Sequence, residues 1–341
     1  MIIEIMFPKY QKKIYQRGYI YQLSGGSNMV KVDLITGFLG AGKTTFIHKY
    51  LHYLKKKGET IHLIENEFGS TSVDSDFLKE EADETCQISD LAGMCMCCIG
   101  KSAFIQMLID SSKEGCDRII VEPSGIYDVD EFFDVLSDVR VRELCEIGTI
   151  ITIVDPFSRE RFTSEAAYLM FSQLVSSGTV VFSKTQLTTD EEIENTKEWI
   201  DNLLRDKGCE NGIMAEYCTK PWDELTDDDF EELEEAYYYR VVYDREEFQH
   251  SAIFQSEEIS VSVQDKKELE AIVKKLFTSE KYGNVFRVKG YAMTEKDGCF
   301  EVNCTGEFMS CIPVHTDKNK LVVIGQQLKY KMFHPFVIES K

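Results

Sequence analysis

Residues 37–44 read GFLGAGKT, a match to G-x-x-x-x-G-K-[ST], set between the strand-like run VDLIT and a helical stretch that holds neither glycine nor proline for a dozen residues. No other short feature restricts the fold as strongly. A loop with Gly37, Gly40 and Gly42 turns tightly enough for successive backbone amides to face one anion, at the seam between a buried strand and a helix N-terminus. Lys43 brings a cation toward the outer phosphate oxygens, and Thr44 offers a hydroxyl to a magnesium ion; Ala41 and Thr45 belong to the same stretch. The expected ligand is a nucleoside triphosphate with Mg²⁺.

Around this loop, strands and helices alternate from Lys31 to about Trp222. TIHLIEN, RIIVEP, GTIITIVD and TVVFSK read as buried strands, separated by helical patterns such as SAFIQMLIDSSKEG. Such alternation predicts an α/β fold, with a mostly parallel sheet flanked by helices as in P-loop NTPases. Past the acidic run DELTDDDFEELEEA the pattern turns mixed, with CFEVNCTG and LVVIGQQL among its strands. The expected organisation is an extension over 1–28, a P-loop domain over 29–222, an acidic connecting segment over 223–250 and a smaller α+β domain over 251–341.

Composition narrows the partners. A formal net charge of −21 disfavours nonspecific attraction to nucleic acid or anionic membrane, so any phosphate must be bound locally. The apolar runs reach only strand length, far from the ~20 residues needed to span a bilayer. The N-terminus carries Glu4 within its apolar stretch and has no small-residue cleavage site. A cytoplasmic location is therefore expected, with mostly reduced thiols. Eight of the eleven cysteines, Cys86, Cys116, Cys145, Cys209, Cys218, Cys299, Cys304 and Cys311, are scattered and read as small buried or incidental residues.

Three further motifs gain weight from the phosphate loop. Glu122-Pro-Ser-Gly125 follows a strand; a carboxylate there can hold a magnesium-bound water, and the Gly125 amide can sense a γ-phosphate. ENEFGSTSVD places Glu65, Asn66, Glu67 and Asp74 after the second strand, where a switch that orders around Mg²⁺ is expected. Ser183, Lys184 and Gln186 of SKTQ end a late strand, where base-reading loops occur. An Asp in the usual N-K-x-D reader accepts both guanine donors; a Gln carbonyl accepts without that charge, so preference for guanine is weakened.

The cluster Cys95, Cys97 and Cys98 within GMCMCCIG is too close-set for a comfortable disulfide. Three thiolates from one tight loop can fill three corners of a tetrahedron around Zn²⁺ or Co²⁺. Met94 and Met96 would turn the site toward Cu(I) as ligands, or simply pack the loop. A redox sensor and a set of metal-free buried thiols are the other readings.

Together GFLGAGKTT, NEFG with its later VD, CMCC, VEPSG, SKTQ and the terminal LVVIGQQL resemble the CobW-like GTPases, relatives of the nickel-handling hydrogenase and urease maturation proteins. The resemblance covers roughly 30–335. It implies a metal-trafficking GTPase in which Lys43, Thr44, Glu122 and Gly125 serve GTP and Mg²⁺, and Glu67 and Asp74 belong to the switch. Cys95, Cys97 and Cys98 would hold Zn²⁺ or Co²⁺, and the C-terminal domain would meet a client metalloprotein or metallocofactor enzyme. A nucleotide-dependent dimer is a further option. Gly93-Met94 stands where the family usually has Asn-Gly before the cysteines. Two alternatives compete: a nucleotide-gated activator of a corrinoid or other metallocofactor enzyme, and a P-loop kinase, for which no arginine-rich lid segment is evident.

Overall fold

The computed structural model describes residues 16–17, 29–66, 82–91, 100–159, 162–209, 212–241, 243, 245–246 and 253–333. These fall into two compact units, one ending at Glu246 and one over 253–333.

In the first unit, β1 (Val30–Thr36), β2 (Ile61–Glu65), β3 (Cys86–Asp90), β4 (Arg118–Glu122), β5 (Cys145–Val154), β6 (Thr179–Phe182) and β7 (Glu216–Cys218) form one sheet in the order β3-β2-β4-β1-β5-β6-β7. Every neighbouring pair is parallel. All five residues of β2 and of β4 are buried, because helices cover both faces. Successive side chains alternate between those faces. Leu34 joins Val121, Phe104 and Leu108 of α2 (Gly100–Glu114), and Phe132 of α3 (Val129–Leu136). Its neighbour Ile35 joins Phe46, Ile47 and Leu51 of α1 (Lys43–Lys57), with Ile120 and Ile153, on the other side. The expected parallel α/β architecture is present, and all its strands deliver their C-terminal ends to one edge.

α1 stops at Gly58, whose φ of 85° only glycine adopts cheaply and whose N–H caps the last turn. α4 (Ser164–Val175) and α5 (Asp190–Asp206) complete the covering layer, and Thr189 with Glu192 makes a capping box at the start of α5.

The acidic run, expected to be a connecting segment, is packed as part of the first unit. Thr226 and Asp229 form a capping box that starts α6 (Asp227–Glu235). Phe230 and Leu233, three apart, insert into the α1 side of the core while the carboxylates between them face outward. Glu234 turns inward to Arg118, which is 1% exposed. Arg118 also donates to Asp33 and Glu59, each at 2.6 Å, and Asp33 accepts from Tyr50 Oη at 2.9 Å and from the Thr149 amide at 3.0 Å. Residues 16–17 pair with Tyr239–Arg240; the rest of the 1–28 extension lies outside the described residues.

In the second unit, β8 (Phe254–Ile259), β9 (Ser262–Val263), β10 (Asn284–Thr294), β11 (Gly298–Thr305), β12 (Met309–Val314) and β13 (Lys320–Gln326) form a sheet in the order β8-β13-β10-β11-β12. Its ladders are antiparallel except for β9, which runs parallel to β10. α7 (Lys266–Thr278) buries Leu269, Val273 and Leu276 on Val288, Val302 and Val323. This is the smaller mixed unit expected from the sequence. Among the described residues no helix is long and apolar enough to cross a membrane.

Candidate nucleotide site

The site forms where β1 gives way to α1. Gly37, at φ 143°, lies so close to β5 that a Cβ would sit 2.4 Å from the Ile153 carbonyl oxygen. Gly40 and Gly42 also have positive φ, 75° and 101°, which leaves the loop free to turn back on itself and open directly into α1. Lys43 is 6% exposed and its ammonium donates to the Gly37 carbonyl at 3.0 Å, which holds the cation across the mouth of the loop.

Thr44 and Glu122 are 78 positions apart in sequence, yet the Thr44 hydroxyl donates to Glu122 Oε1 at 2.8 Å. Parallel pairing places Glu65 beside Glu122, and the Asn66 amide donates to the Glu122 carbonyl at 2.8 Å. A hydroxyl and a carboxylate in contact at a helix N-terminus make a set of hard oxygen donors. That chemistry fits Mg²⁺, which prefers one or two protein oxygens and keeps its waters.

Gly125 meets the loop from the other side. A Cβ there would lie 2.5 Å from the Leu39 nitrogen, so the turn after Glu122 rests on the phosphate loop's own backbone. Just beyond it Asp128 caps α3 by accepting from the Asp130 amide at 3.0 Å. Burial, followed by the nearby Asp128 charge, pushes the Glu131 carboxyl up to about 7.

Ser183 is 1% exposed at the end of β6, and its amide donates to the Val154 carbonyl at 2.9 Å. Lys184 adopts a left-handed conformation, φ 56°, and reaches Asp155 Oδ2 at 2.5 Å. Gln186 follows on a short 3₁₀ turn, Thr185–Leu187, and is exposed.

Two residues that sequence reasoning passed over complete this edge. Asp155 receives Lys184 and also accepts from the Phe157 amide at 3.0 Å, so one carboxylate fixes two loops. Trp222 donates its indole N–H to the Phe182 carbonyl at 2.9 Å and sets its ring edgewise on Phe46, 5.5 Å between centroids. The far edge of the indole is 3.1 Å from where a Gly42 Cβ would be, and Ser183 Cβ is 3.8 Å from the same point. The phosphate loop, the turn after β6 and the segment after β7 therefore meet around Gly42. An aromatic just after the last strand of an α/β sheet was the available signal, since ligands of such sheets gather at strand C-termini.

The other expected ligands, Glu67, Asp74, Cys95, Cys97 and Cys98, lie outside the described residues. Among the described residues no three His, Cys, Asp or Glu side chains are grouped to hold a metal ion.

A family model described as CobW/HypB/UreG, nucleotide-binding domain, matches residues 31–209. The zinc chaperone YeiR of Escherichia coli is 30% identical over 176 residues, 50% of this chain and 51% of YeiR. The zinc-regulated GTPase metalloprotein activator 1 of Schizosaccharomyces pombe is 26% identical over 179 residues, 50% of this chain and 43% of that protein. The chain thus spans about half the length of these curated relatives. The solved structure of Zn(II)-bound YjiA GTPase from E. coli aligns over 91% of this chain and 98% of its own, at 18% identity and a TM-score of 0.39.

Proposed function

Because this chain belongs to the CobW/HypB/UreG family, we propose that it is a GTP-binding and GTP-hydrolysing metallochaperone whose hold on zinc changes with nucleotide state. The observation that carries the nucleotide half is the contact between Thr44 and Glu122, which joins the phosphate loop to the strand-end carboxylate on the oxygen chemistry Mg²⁺ needs.

In this mechanism the amides of 37–42 hold the β-phosphate, and Lys43 moves its ammonium from the Gly37 carbonyl to the β and γ oxygens. Thr44 and Glu122 would hold a magnesium ion, which would supply positive charge beside the reacting phosphates. Gly125, already against the phosphate loop, turns its amide to the γ-phosphate; loss of that phosphate releases the turn. Ser183, Lys184 and Gln186 face the base. With Gln186 in place of a carboxylate, guanine is preferred over adenine less sharply than in N-K-x-D proteins.

The metal half is supported by relatives named as zinc chaperones and by the donor chemistry of Cys95, Cys97 and Cys98, with Glu67 and Asp74 in the adjoining switch. Three thiolates leave one zinc position open, which suits transfer to a client protein; Co²⁺ fits the same set. The second unit is the proposed client-facing part. The name of the fission-yeast relative favours one variant of this reading, in which the chain activates its partner enzyme instead of loading it.

Zinc titration of the full chain, loaded with GDP or a nonhydrolysable GTP analogue, tests the coupling. Replacing Cys95, Cys97 and Cys98 by Ser is expected to remove the tightest zinc equivalent and the difference between the two nucleotide states. Identical isotherms for the two states in the parent protein would leave the metallochaperone reading without support.

Glu122→Gln keeps an oxygen for Thr44 and deletes the charge. Turnover is expected to fall about 10²-fold with nucleotide affinity nearly unchanged, as read by single-turnover hydrolysis beside equilibrium binding. Trp222→Phe keeps a ring on Phe46 and loses the bond to the Phe182 carbonyl, worth about 0.5–1.5 kcal/mol. A roughly 2- to 10-fold weaker GTP affinity at unchanged kcat is expected in a fluorescent-nucleotide titration.

A further inference from the structure

Two of the cysteines that look incidental in sequence lie on one face of adjacent strands. In the ladder between β11 and β12, Cys304 stands opposite Met309, and Val302 stands opposite Cys311. Residues two apart on a strand share a face, so Cys304 and Cys311 are diagonal neighbours on the same side of the sheet. Both belong to the core under α7, at 0% and 8% exposure. The Cys304 thiol donates to the Ser310 carbonyl at 3.6 Å, the residue just before Cys311, so it is directed toward the strand that carries Cys311.

The surroundings of the two sulfurs differ. Cys304 lies on β11, paired on both sides, whereas Cys311 lies on β12, the terminal strand in the sheet order. Diagonal neighbours stand about 7–8 Å apart, beyond the roughly 4.4–6.8 Å between Cα atoms of a disulfide, so closure requires β12 to move toward β11, a movement that disturbs one ladder and not two.

We propose that Cys304 and Cys311 form a redox-responsive dithiol, closed to an intrachain disulfide by hydrogen peroxide, that pins the edge strand of the second unit. This site is separate from the nucleotide site and does not depend on the proposed function. The neighbouring Cys304 side chain draws the Cys311 thiol below its ordinary range, and the Cys311 side chain, followed by burial, raises that of Cys304. Cys311 is therefore the attacking group. Its thiolate sulfur bonds to one peroxide oxygen, the O–O bond breaks, and the departing hydroxide takes a proton to become water, leaving a sulfenic acid. The Cys304 sulfur then attacks Cys311 Sγ. The S–O bond breaks and the hydroxyl leaves as water with the Cys304 proton. Two thiols and one peroxide give one disulfide and two waters, the two electrons passing from sulfur to oxygen.

The test uses the full chain, reduced and stripped of metal by a chelator, then exposed to hydrogen peroxide. Remaining thiols are blocked with N-ethylmaleimide, and a glutamate-specific protease cuts after Glu307, between the two cysteines. Mass spectrometry is expected to find the Cys304 and Cys311 peptides joined, as the main Cys304 species, and separated by reductant. Separate peptides with N-ethylmaleimide on both cysteines, or with Cys311 as sulfinic acid and Cys304 alkylated, would overturn the proposal. In C304S the sulfenic acid has no resolving partner, so dimedone is expected to label Cys311; in C311S, Cys304 is expected to stay unlabelled. Dimedone on Cys304 in C311S, with none on Cys311 in C304S, contradicts the assigned roles. The parent-chain map holds whether or not either variant folds.

Discussion

Lys43→Ala is expected to lower GTP hydrolysis by about 10²–10³-fold, the range for losing one preorganised donor at developing charge, equivalent to about 2.7–4 kcal/mol of transition-state stabilisation. The reason lies in how the side chain is held. At 6% exposure its ammonium is already tied to the Gly37 carbonyl across the loop, so little ordering is needed when phosphate arrives. Alanine leaves the three glycines and the helix start intact, and the folded state loses the bond to the Gly37 carbonyl, about 1 kcal/mol. Binding of a fluorescent GTP analogue and single-turnover hydrolysis, read beside a thermal melt, separate the two effects. Triphosphate affinity and turnover at parental levels in a folded variant would remove Lys43 from the site.

Arg118→Met is expected to cost about 3–5 kcal/mol of stability, because it leaves the buried Asp33 carboxylate without its cation, while Glu234 and Glu59 keep Lys57. The Asp33 side chain is fully buried and those of Glu234 and Glu59 are 7% and 20% exposed, so water reaches little of the charge left behind. Arg118 opens β4 and Glu122 closes it, about 13 Å apart at strand rise, so the nucleotide end should be untouched in molecules that stay folded. The expected result is a urea midpoint shifted down at unchanged GTP affinity. A shift worth less than about 1 kcal/mol would place the network with solvent-screened surface pairs. Asp33→Asn with Arg118→Met should recover part of the loss, because both charges leave together.

The phosphate loop was legible because its determinants are contiguous. Gly37 to Thr44 specify the turn, the cation and the helix start within eight positions, and flanking periodicity supplied the strand and the helix. The contact between Thr44 and Glu122 follows from strand direction. In a parallel sheet every strand ends at the same edge, so a carboxylate at one strand's end is carried to the helix that follows another.

What escaped the sequence depends on pairing across distance. The charge of the acidic run dominates its reading as a connection, although Phe230 and Leu233 stand at helical spacing within it. Nothing local to Arg118 says that Asp33, Glu59 and Glu234 converge on it. Trp222 and Asp155 look like loop residues until the strands are ordered and their ends meet around Gly42 and Lys184.

The sequence by itself determined the chemistry available: a phosphate-binding turn, a strand-end carboxylate, an unusual base loop and a dense thiol cluster. Local backbone geometry and donor type suffice for those. Only the tertiary structure decided which groups act together, because antiparallel register puts Cys304 and Cys311 on one face of neighbouring strands, and strand order sets Trp222 against the phosphate loop. Such contacts are made by the packing of whole elements, which no short stretch of residues encodes.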